Sequence, residues 1–315
     1  MILLTALLAA GIALAVAAPA VLSRVDFTGA PIVGMMAWLG AVAATIGCGV
    51  LALIALAWPG DPPGNIAAGK LVESLAAVEP TVVTWTAGLI MPVAVIGAIL
   101  PTGQLARIAI GHRGRGAALR RRHRALVEIV GRVDVAGAKL VRLEHPVPLA
   151  YSVAGRGGYV VVTDGLERCL DDAQWRAVLA HERAHLRGFH HHILGACQVL
   201  ARAFSWIPLF AAAPAAVATL IEFAADRAAA AATDPRALSG ALRTVASHGA
   251  SRSAPLGLID ESLARRLECL SAAPDSRSSS RRTAGLMLVA TMSLAPIASV
   301  IAVGLSAALV RWLVV

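Results

Sequence analysis

Four long apolar segments constrain what this chain can fold into. They are residues Met1–Ser23, Ile32–Trp58, Val82–Ile108 and Ala284–Val310. Each is at least as long as the roughly 20 residues that an α-helix needs to cross the hydrocarbon core of a bilayer. The composition agrees, because only 15% of the residues are charged, against about 25% in soluble domains. The sequence therefore predicts a polytopic membrane protein with four transmembrane helices.

The positions of the charged residues predict how these segments are oriented. Seven arginines lie between positions 107 and 124, at and just after the end of the third segment, and no acidic residue lies between Arg107 and Glu128. Residues 59–81, between the second and third segments, carry one lysine and three acidic residues. Positive charge near the end of a span is retained in the cytoplasm. We therefore expect a multi-pass plasma-membrane protein with both termini outside, and an uncleaved first span rather than a signal peptide because a basic start is lacking.

The net charge of +9 raises the question of a nucleic-acid partner. The arginine excess lies beside the third and fourth apolar segments, where topology and anionic lipid headgroups account for it. No stacking aromatic residues or groove-reading motif accompany these arginines, as nucleic-acid binding would require. The expected partner is the lipid bilayer, and no nucleic acid is expected.

One large insertion separates the third and fourth apolar segments. The expected domains are a transmembrane region at 1–110, a cytoplasmic domain at 111–283, and a last span with a short tail at 284–315. Within the insertion, Pro146–Leu166 contains two short β-branched and aromatic runs separated by glycines, which predicts a β-hairpin. The remainder has helical patterning, so the predicted fold class is mainly α.

Residues 181–191 read HERAHLRGFHH, and the HExxH within them carries the chemistry. On a helix, His181 and His185 lie one turn apart on the same face, so both imidazoles can bind one Zn²⁺ ion. The neighbouring carboxylate of Glu182 can accept a proton from a metal-bound water. The pattern favours a zinc peptidase, and two incidental histidines on a helix are the alternative.

The residues before this motif predict the helix that it needs. Asp171 is a candidate N-cap, and Gln174 three residues later completes a capping box. Trp175, Val178 and Leu179 follow at the spacing of an apolar helical stripe.

Two residues compete for the place of third metal ligand. The longer pattern HExxHxxGxxH offers His191, as in metzincins, but the Met-turn that such sites require has no candidate except Met287 and Met292, inside the fourth apolar segment. The rival is Glu222, with Asp226 one helical turn later and able to orient a ligand histidine. Both alternatives remain open at this point, and Glu222 is preferred.

The stretch between the motif and Glu222 supports that preference. It is apolar but interrupted around Trp206, Pro208 and Pro214, which predicts two helical legs, each too short to cross a bilayer. A re-entrant or membrane-leaning hairpin of this kind would return Glu222 to the metal.

The predicted hairpin could also bind a substrate. An exposed strand edge can align an extended peptide by β-augmentation, and a strand just before the HExxH helix is well placed to do so. An ordinary structural hairpin is the alternative. The candidate edge consists of Ala150, Tyr151, Ser152, Val153 and Ala154.

Four sequence patterns together resemble a known family. VLAHERAHLRG, the upstream YVVVTDGLE, and the downstream WIPLF and LIEFAAD are similar to those of BlaR/MecR-type integral-membrane zinc metallopeptidases, which share the wider gluzincin group with HtpX and Ste-type CAAX proteases. The resemblance implies a mostly helical zincin-like domain that binds Zn²⁺ and a substrate-binding strand at 150–154. The implied site has His181, His185 and Glu222 as zinc ligands, Glu182 as general base, and Asp226 as a support for a ligand histidine.

One departure from the resembled family bears on function. BlaR and MecR receptors carry a large extracellular penicillin-binding domain after the last span, where only residues 311–315 are expected here, and no SxxK motif is present. Direct β-lactam sensing is therefore not expected. The resemblance implies cleavage of a cytoplasmic regulatory protein such as a transcriptional repressor. The alternatives are HtpX-like quality control of membrane proteins and a zinc-binding receptor without proteolytic activity.

Overall fold

The structure is a computed structural model, which describes residues 2–57, 80–133, 140–155, 157–249, 256–271 and 287. It is mostly helical with one small sheet, as predicted. The fourth predicted span lies outside the described residues except for Met287, and so does the segment between the second and third spans. The predicted domain boundaries and the prediction of four spans therefore stay predictions.

Two apolar helices form the start of the chain. Helix α1 (Ile2–Arg24) and helix α2 (Pro31–Ala57) are joined by a short loop, residues 25–30, and pack along each other as an antiparallel pair. They coincide with the first two predicted spans. Helix α3 (Pro80–Val130) has 51 residues and contains the third predicted span together with the basic stretch that follows it.

Three helices in the described part are long and apolar enough to cross a membrane, namely Leu3–Arg24, Pro31–Leu56 and Pro208–Ala232. The third of these was not among the predicted spans, whereas the predicted third span, Val82–Ile108, is not one of the three. These apolar helices indicate a membrane protein.

The apolar stretch after the HExxH motif forms helices α6 (His190–Ala203) and α7 (Pro208–Ala232). The chain breaks at residues 204–207 as predicted, but the predicted interruption at Pro214 is wrong, because α7 continues through it for 25 residues, about 37 Å. Proline removes one backbone hydrogen bond. Buried packing of the neighbouring Ala213 and Val217 holds the helix together across that gap.

The first half of α7 packs into the membrane bundle. Its side chains interlock with those of α1 and α2 in one hydrophobic core, which also receives Cys197 of α6. The buried members on α2 and α7 include Trp38, Ala41, Val42, Leu209, Phe210, Val217 and Ile221. Helix α3 contacts α6, and the Gln104 side chain donates a hydrogen bond to the carbonyl of Ala203. The hairpin of α6 and α7 is therefore fixed on both sides.

Four short strands form a sheet in the order β1-β2-β4-β3. They are β1 (Gly131–Val133), β2 (Leu140–Leu143), β3 (Ala150–Val153) and β4 (Tyr159–Thr163). The antiparallel pair of β3 and β4 confirms the predicted hairpin. The parallel pairing of β2 with β4 was not predicted. Strand β4 is central, which explains its almost continuous valine run, and β3 lies at the edge.

The remaining helices are α4 (Asp164–Cys169), α5 (Asp172–Arg187), α8 (Pro235–Gly249) and α9 (Leu256–Ser271). The predicted capping box at the start of α5 is confirmed. Oδ1 of Asp171 accepts hydrogen bonds from the backbone N–H groups of Ala173 and Gln174, and the Gln174 side chain accepts one from the N–H of Asp171. Capping of this kind fixes where the HExxH helix begins.

Gly165 permits a close backbone contact between α4 and the chain before β3. A Cβ atom at this position would lie 2.2 Å from the carbonyl oxygen of Pro146. We expect Gly165→Ala to lower the free energy of unfolding by about 1–3 kcal/mol, as overpacking does, measured by thermal unfolding in detergent. In Gly114→Ala of α3 the new Cβ meets nothing within 4 Å, so that control should be neutral or slightly stabilised. Equal thermal unfolding midpoints for Gly165→Ala and Gly114→Ala would show that the backbone contact at Gly165 is not as close as described.

Candidate metal centre

Helices α5 and α7 face each other and bring three potential ligands together. Nε2 of His181 and Nε2 of His185 are 3.0 Å apart. The carboxylate of Glu222 reaches across from α7, with one oxygen 3.6 Å from each of these nitrogens. Within the described ranges these three side chains form a group that could hold a metal ion, their ligand atoms all lying within 4.8 Å of one another.

The separations in this group fit zinc. A tetrahedral Zn²⁺ ion with ligands at 2.0–2.1 Å places them about 3.3 Å from each other, and the observed separations of 3.0 and 3.6 Å lie on either side of that value. Two imidazole nitrogens and one carboxylate are also a donor set of catalytic zinc sites, which leave one position for water. The residues present therefore suit a catalytic zinc ion.

Asp226 connects the histidine pair to a residue that the sequence analysis missed. Its Oδ1 lies 3.0 Å from Nδ1 of His181. Both of its oxygens accept hydrogen bonds of 2.7 Å from Arg266 of α9. Arg266 Nη1 also lies 3.2 Å from Glu222. One guanidinium thus holds the two carboxylates of α7 side by side.

Arg266 lies outside every motif, and its sequence signal is weak. It is spaced three residues after Leu263 and four before Leu270, so it occupies the apolar face of an amphipathic helix. Its side chain is only 18% exposed. A buried arginine in such a position requires acidic partners, but the sequence does not show which ones.

The histidines have strongly shifted pKa values. Burial lowers the pKa of His181, but the carboxylates of Asp226 and Glu222 outweigh burial and raise it to about 9. Burial, with the nearby positive charge of His181, lowers the pKa of His185 to about 4. Metal ligands must be deprotonated. Zinc binding near neutral pH therefore has to displace a proton from His181 but not from His185.

Glu182 points towards the edge strand. Burial raises the pKa of its carboxyl group, although the charge of His181 and, to a smaller extent, the nearby Ser152 act to lower that pKa. Thr163 N–H donates to the Leu149 carbonyl, so by antiparallel alternation Tyr151 and Val153 bond β4 while the backbone of Ser152 faces the open edge. The predicted edge strand and the predicted base are thus adjacent. Of the predicted edge residues, Ala154 follows the end of β3.

His191 is placed differently from the metzincin-type alternative. The chain turns between α5 and α6 at Phe189, whose φ of 53° is left-handed, and α6 begins at His190. Nε2 of His191 lies 3.0 Å from the Ser152 hydroxyl, and Nδ1 of His190 lies 3.1 Å from Nδ1 of His185. The structure thus brings Glu222, rather than His191, to the ligand nitrogens of the histidine pair.

Comparison with known proteins gives one match. Residues 117–254 match the model of peptidase family M48. The matched segment contains the sheet, α5 and α7, with the histidine pair, Glu182, Glu222 and Asp226, but it ends before Arg266. No curated protein and no solved structure matches the chain. The M48 match supports a metallopeptidase, and the apolar helices indicate that it is membrane-associated.

We expect loss of Arg266 to weaken the metal centre of the M48 segment. In Arg266→Gln the carboxylates of Glu222 and Asp226 lose the cation that holds them together, and zinc affinity should fall about 10- to 100-fold, as for other groups that orient metal ligands. Arg266→Lys keeps the charge but not the two-point contact with Asp226. Its zinc affinity should lie between those of the wild type and Arg266→Gln. Zinc affinity is measured by competition with a chelator.

The exposed neighbour Arg265 supplies the control. Arg265→Gln removes the same charge from the same helix and should keep wild-type zinc affinity. Thermal unfolding establishes that each variant is folded. Unchanged affinity in a folded Arg266→Gln protein would show that the guanidinium does not position the ligands.

Proposed function

We propose that this protein is a membrane-embedded zinc metalloendopeptidase that cleaves a cytoplasmic regulatory protein, such as a transcriptional repressor. The observation that carries the proposal is the juxtaposition of a possible zinc site with an open strand edge. Glu182 follows His181 on α5, and its carboxyl group is near enough to Ser152 of the edge strand for Ser152 to lower its pKa. A peptide held at that edge would lie along the site.

Each site residue has a role in this proposal. Zinc bound by His181, His185 and Glu222 would acidify a water molecule and polarise the scissile carbonyl. Glu182 accepts the water proton at its carboxylate and passes it to the leaving amine. Its raised pKa brings it closer to the operating pH, which suits a group that must both take and give a proton. Asp226 orients His181 through the imidazole nitrogen that faces away from the ligand group.

The substrate in this proposal is an extended peptide that adds to β3. Among the described residues, strand β3 pairs with β4 alone, and it also contacts α5. Main-chain hydrogen bonds to such an edge supply affinity, and alternate side chains supply specificity. Residues 150–154 would thus align the scissile bond with the site, and His191, bound to the Ser152 hydroxyl, would hold this strand in place.

The site lies close to the membrane helices, which supports the proposal that the substrate binds at the membrane surface. Arg227, one residue after Asp226, donates a hydrogen bond to the carbonyl of Gly29 in the α1–α2 loop. The site is therefore next to the end of the first two apolar helices, on the side that the arginine distribution predicts to be cytoplasmic. This placement also favours a second candidate function, quality control of membrane proteins, because a chain emerging from the bilayer would reach the same edge.

Replacing Glu182 tests the catalytic proposal. Glu182→Gln keeps the shape of the side chain but removes the proton acceptor, so we expect zinc binding and folding to persist while cleavage falls by at least about 100-fold. The measurement compares newly formed protein termini in cells that express wild type or the variant. This comparison also identifies substrates, which separates a single regulator from many membrane proteins. Identical sets of termini would reject the peptidase proposal.

Replacing the competing ligands tests the metal site. We expect Glu222→Gln to lose most bound zinc, because a neutral amide is a poor third ligand, whereas His191→Gln should retain one zinc per chain. Zinc content of the purified proteins is measured by elemental analysis. Loss of zinc only in His191→Gln would replace the proposed ligand set by the three-histidine alternative.

A further inference from the structure

A groove beside the site is lined by three arginines that the mechanism does not use. Arg176, Arg183 and Arg187 of α5 line a cavity of about 540 Å³ together with apolar residues of the same helix and with residues of α2, α6 and α7. We call this cavity the arginine groove. It extends along α5 on a different side from the histidine pair.

The three arginines form a row on one face of α5 because of their spacing. Arg183 and Arg187 follow Arg176 by seven and eleven residues. At 100° per residue, this spacing places all three within about 40° on one face of the helix. None of them forms an ion pair with another residue in the described ranges. Unpaired cations gathered around one cavity repel each other, and an anion in the groove would relieve that repulsion.

The opposite wall of the groove is apolar. Ala224, Ala228 and Ala232 recur every four residues along α7 and present small side chains, and Ile32 of α2 is 62% exposed at the rim. A second cavity of about 460 Å³ shares Ile32 and two of these alanines and continues to the α1–α2 loop. The combined surface has the three arginines of α5 on one side and mostly apolar side chains on the other, where Arg227 of α7 lines the second cavity.

The groove lies where the apolar helices end. Ile32 is the second residue of α2, Ala232 is the last residue of α7, and the α1–α2 loop borders the second cavity. The three helices in the described part that could cross a membrane therefore each have one end at this place. In a bilayer this level corresponds to the lipid headgroups.

We propose that the arginine groove binds an anionic phospholipid, with the acidic headgroup along the row formed by Arg176, Arg183 and Arg187 and the start of an acyl chain against the alanine face of α7. Basic pockets between membrane helices bind acidic headgroups in this way, and arginine is suited to phosphate because it donates two parallel hydrogen bonds. An acidic peptide would satisfy the arginines but would leave the apolar wall at the bilayer boundary unused.

Occupancy of the groove would bear on the metal centre. His190 lines the groove, and its Nδ1 lies 3.1 Å from Nδ1 of His185. A lipid that bridges α5 and α7 would therefore stabilise the pairing of the two helices that carry the ligand group. Lipid binding does not depend on the proposed peptidase activity and is tested in the Glu182→Gln variant. The lipid proposal and the peptidase proposal can therefore be rejected independently of each other.

The test uses the full chain purified in mild detergent, with phosphatidylglycerol as the anionic lipid and phosphatidylcholine of the same acyl chains as the neutral one. Lipid retention is measured by native mass spectrometry and stabilisation by thermal unfolding. We expect phosphatidylglycerol to be retained and to raise Tm, and phosphatidylcholine to do neither. The variant R176Q/R183Q/R187Q should bind phosphatidylglycerol on the order of 100-fold more weakly, because each arginine contributes about one factor of five.

The control variant R168Q/R236Q/R243Q removes three exposed arginines outside the groove and should retain phosphatidylglycerol like the parent. Equal retention of both lipids by the parent protein rejects the proposal whatever the variants do, which covers the case that the groove variant does not fold. Undiminished retention by a folded groove variant also rejects it. Displacement of the lipid by an acidic peptide at equal charge concentration would assign the groove to protein partners instead.

Discussion

The structure depends on α7 being one continuous helix. Its first half is buried against α1 and α2, and its second half carries Glu222 and Asp226. A helix transmits position along its axis because its backbone hydrogen bonds leave little freedom to bend. The packing of apolar side chains in the bundle therefore sets the position of two carboxylates that would otherwise be free to move away from α5.

Bringing two carboxylates and two histidines together is electrostatically unfavourable unless the charges are compensated. Removing an ionised carboxylate from water is costly when it has no partner. Arg266 supplies that partner for Asp226 and Glu222 at once, and Asp226 in turn faces His181. Helix α9 thus belongs to the candidate metal centre, although it follows the segment that matches family M48.

The sequence predicted local features well. The capping box at Asp171, the HExxH helix and the β-hairpin are each specified by residues within a few positions of one another, so short-range patterns suffice. The parallel pairing of β2 with β4 was missed because it depends on packing between segments that are separated along the chain. Pro214 was misjudged for the same reason, since buried neighbours kept α7 intact.

The sequence predicted only those parts of the site that follow from the separation of residues along one helix. The separation of His181 from His185, and of Glu222 from Asp226, is one helical turn, and this placed each pair correctly on its own helix. Nothing in the sequence relates one pair to the other or to Arg266, because that relation is created by the contact of α5, α7 and α9.

The position of β3 at the edge of the sheet determines the physical state of any chain that can reach Glu182. A segment already folded into a helix, or paired within its own sheet, has no free main-chain groups to offer an edge strand. Flexible loops, unfolded termini and damaged regions do have them. Selection at such an edge acts first on local stability and only afterwards on side-chain identity, so the lifetime of a target protein would be governed by how often the relevant segment unfolds.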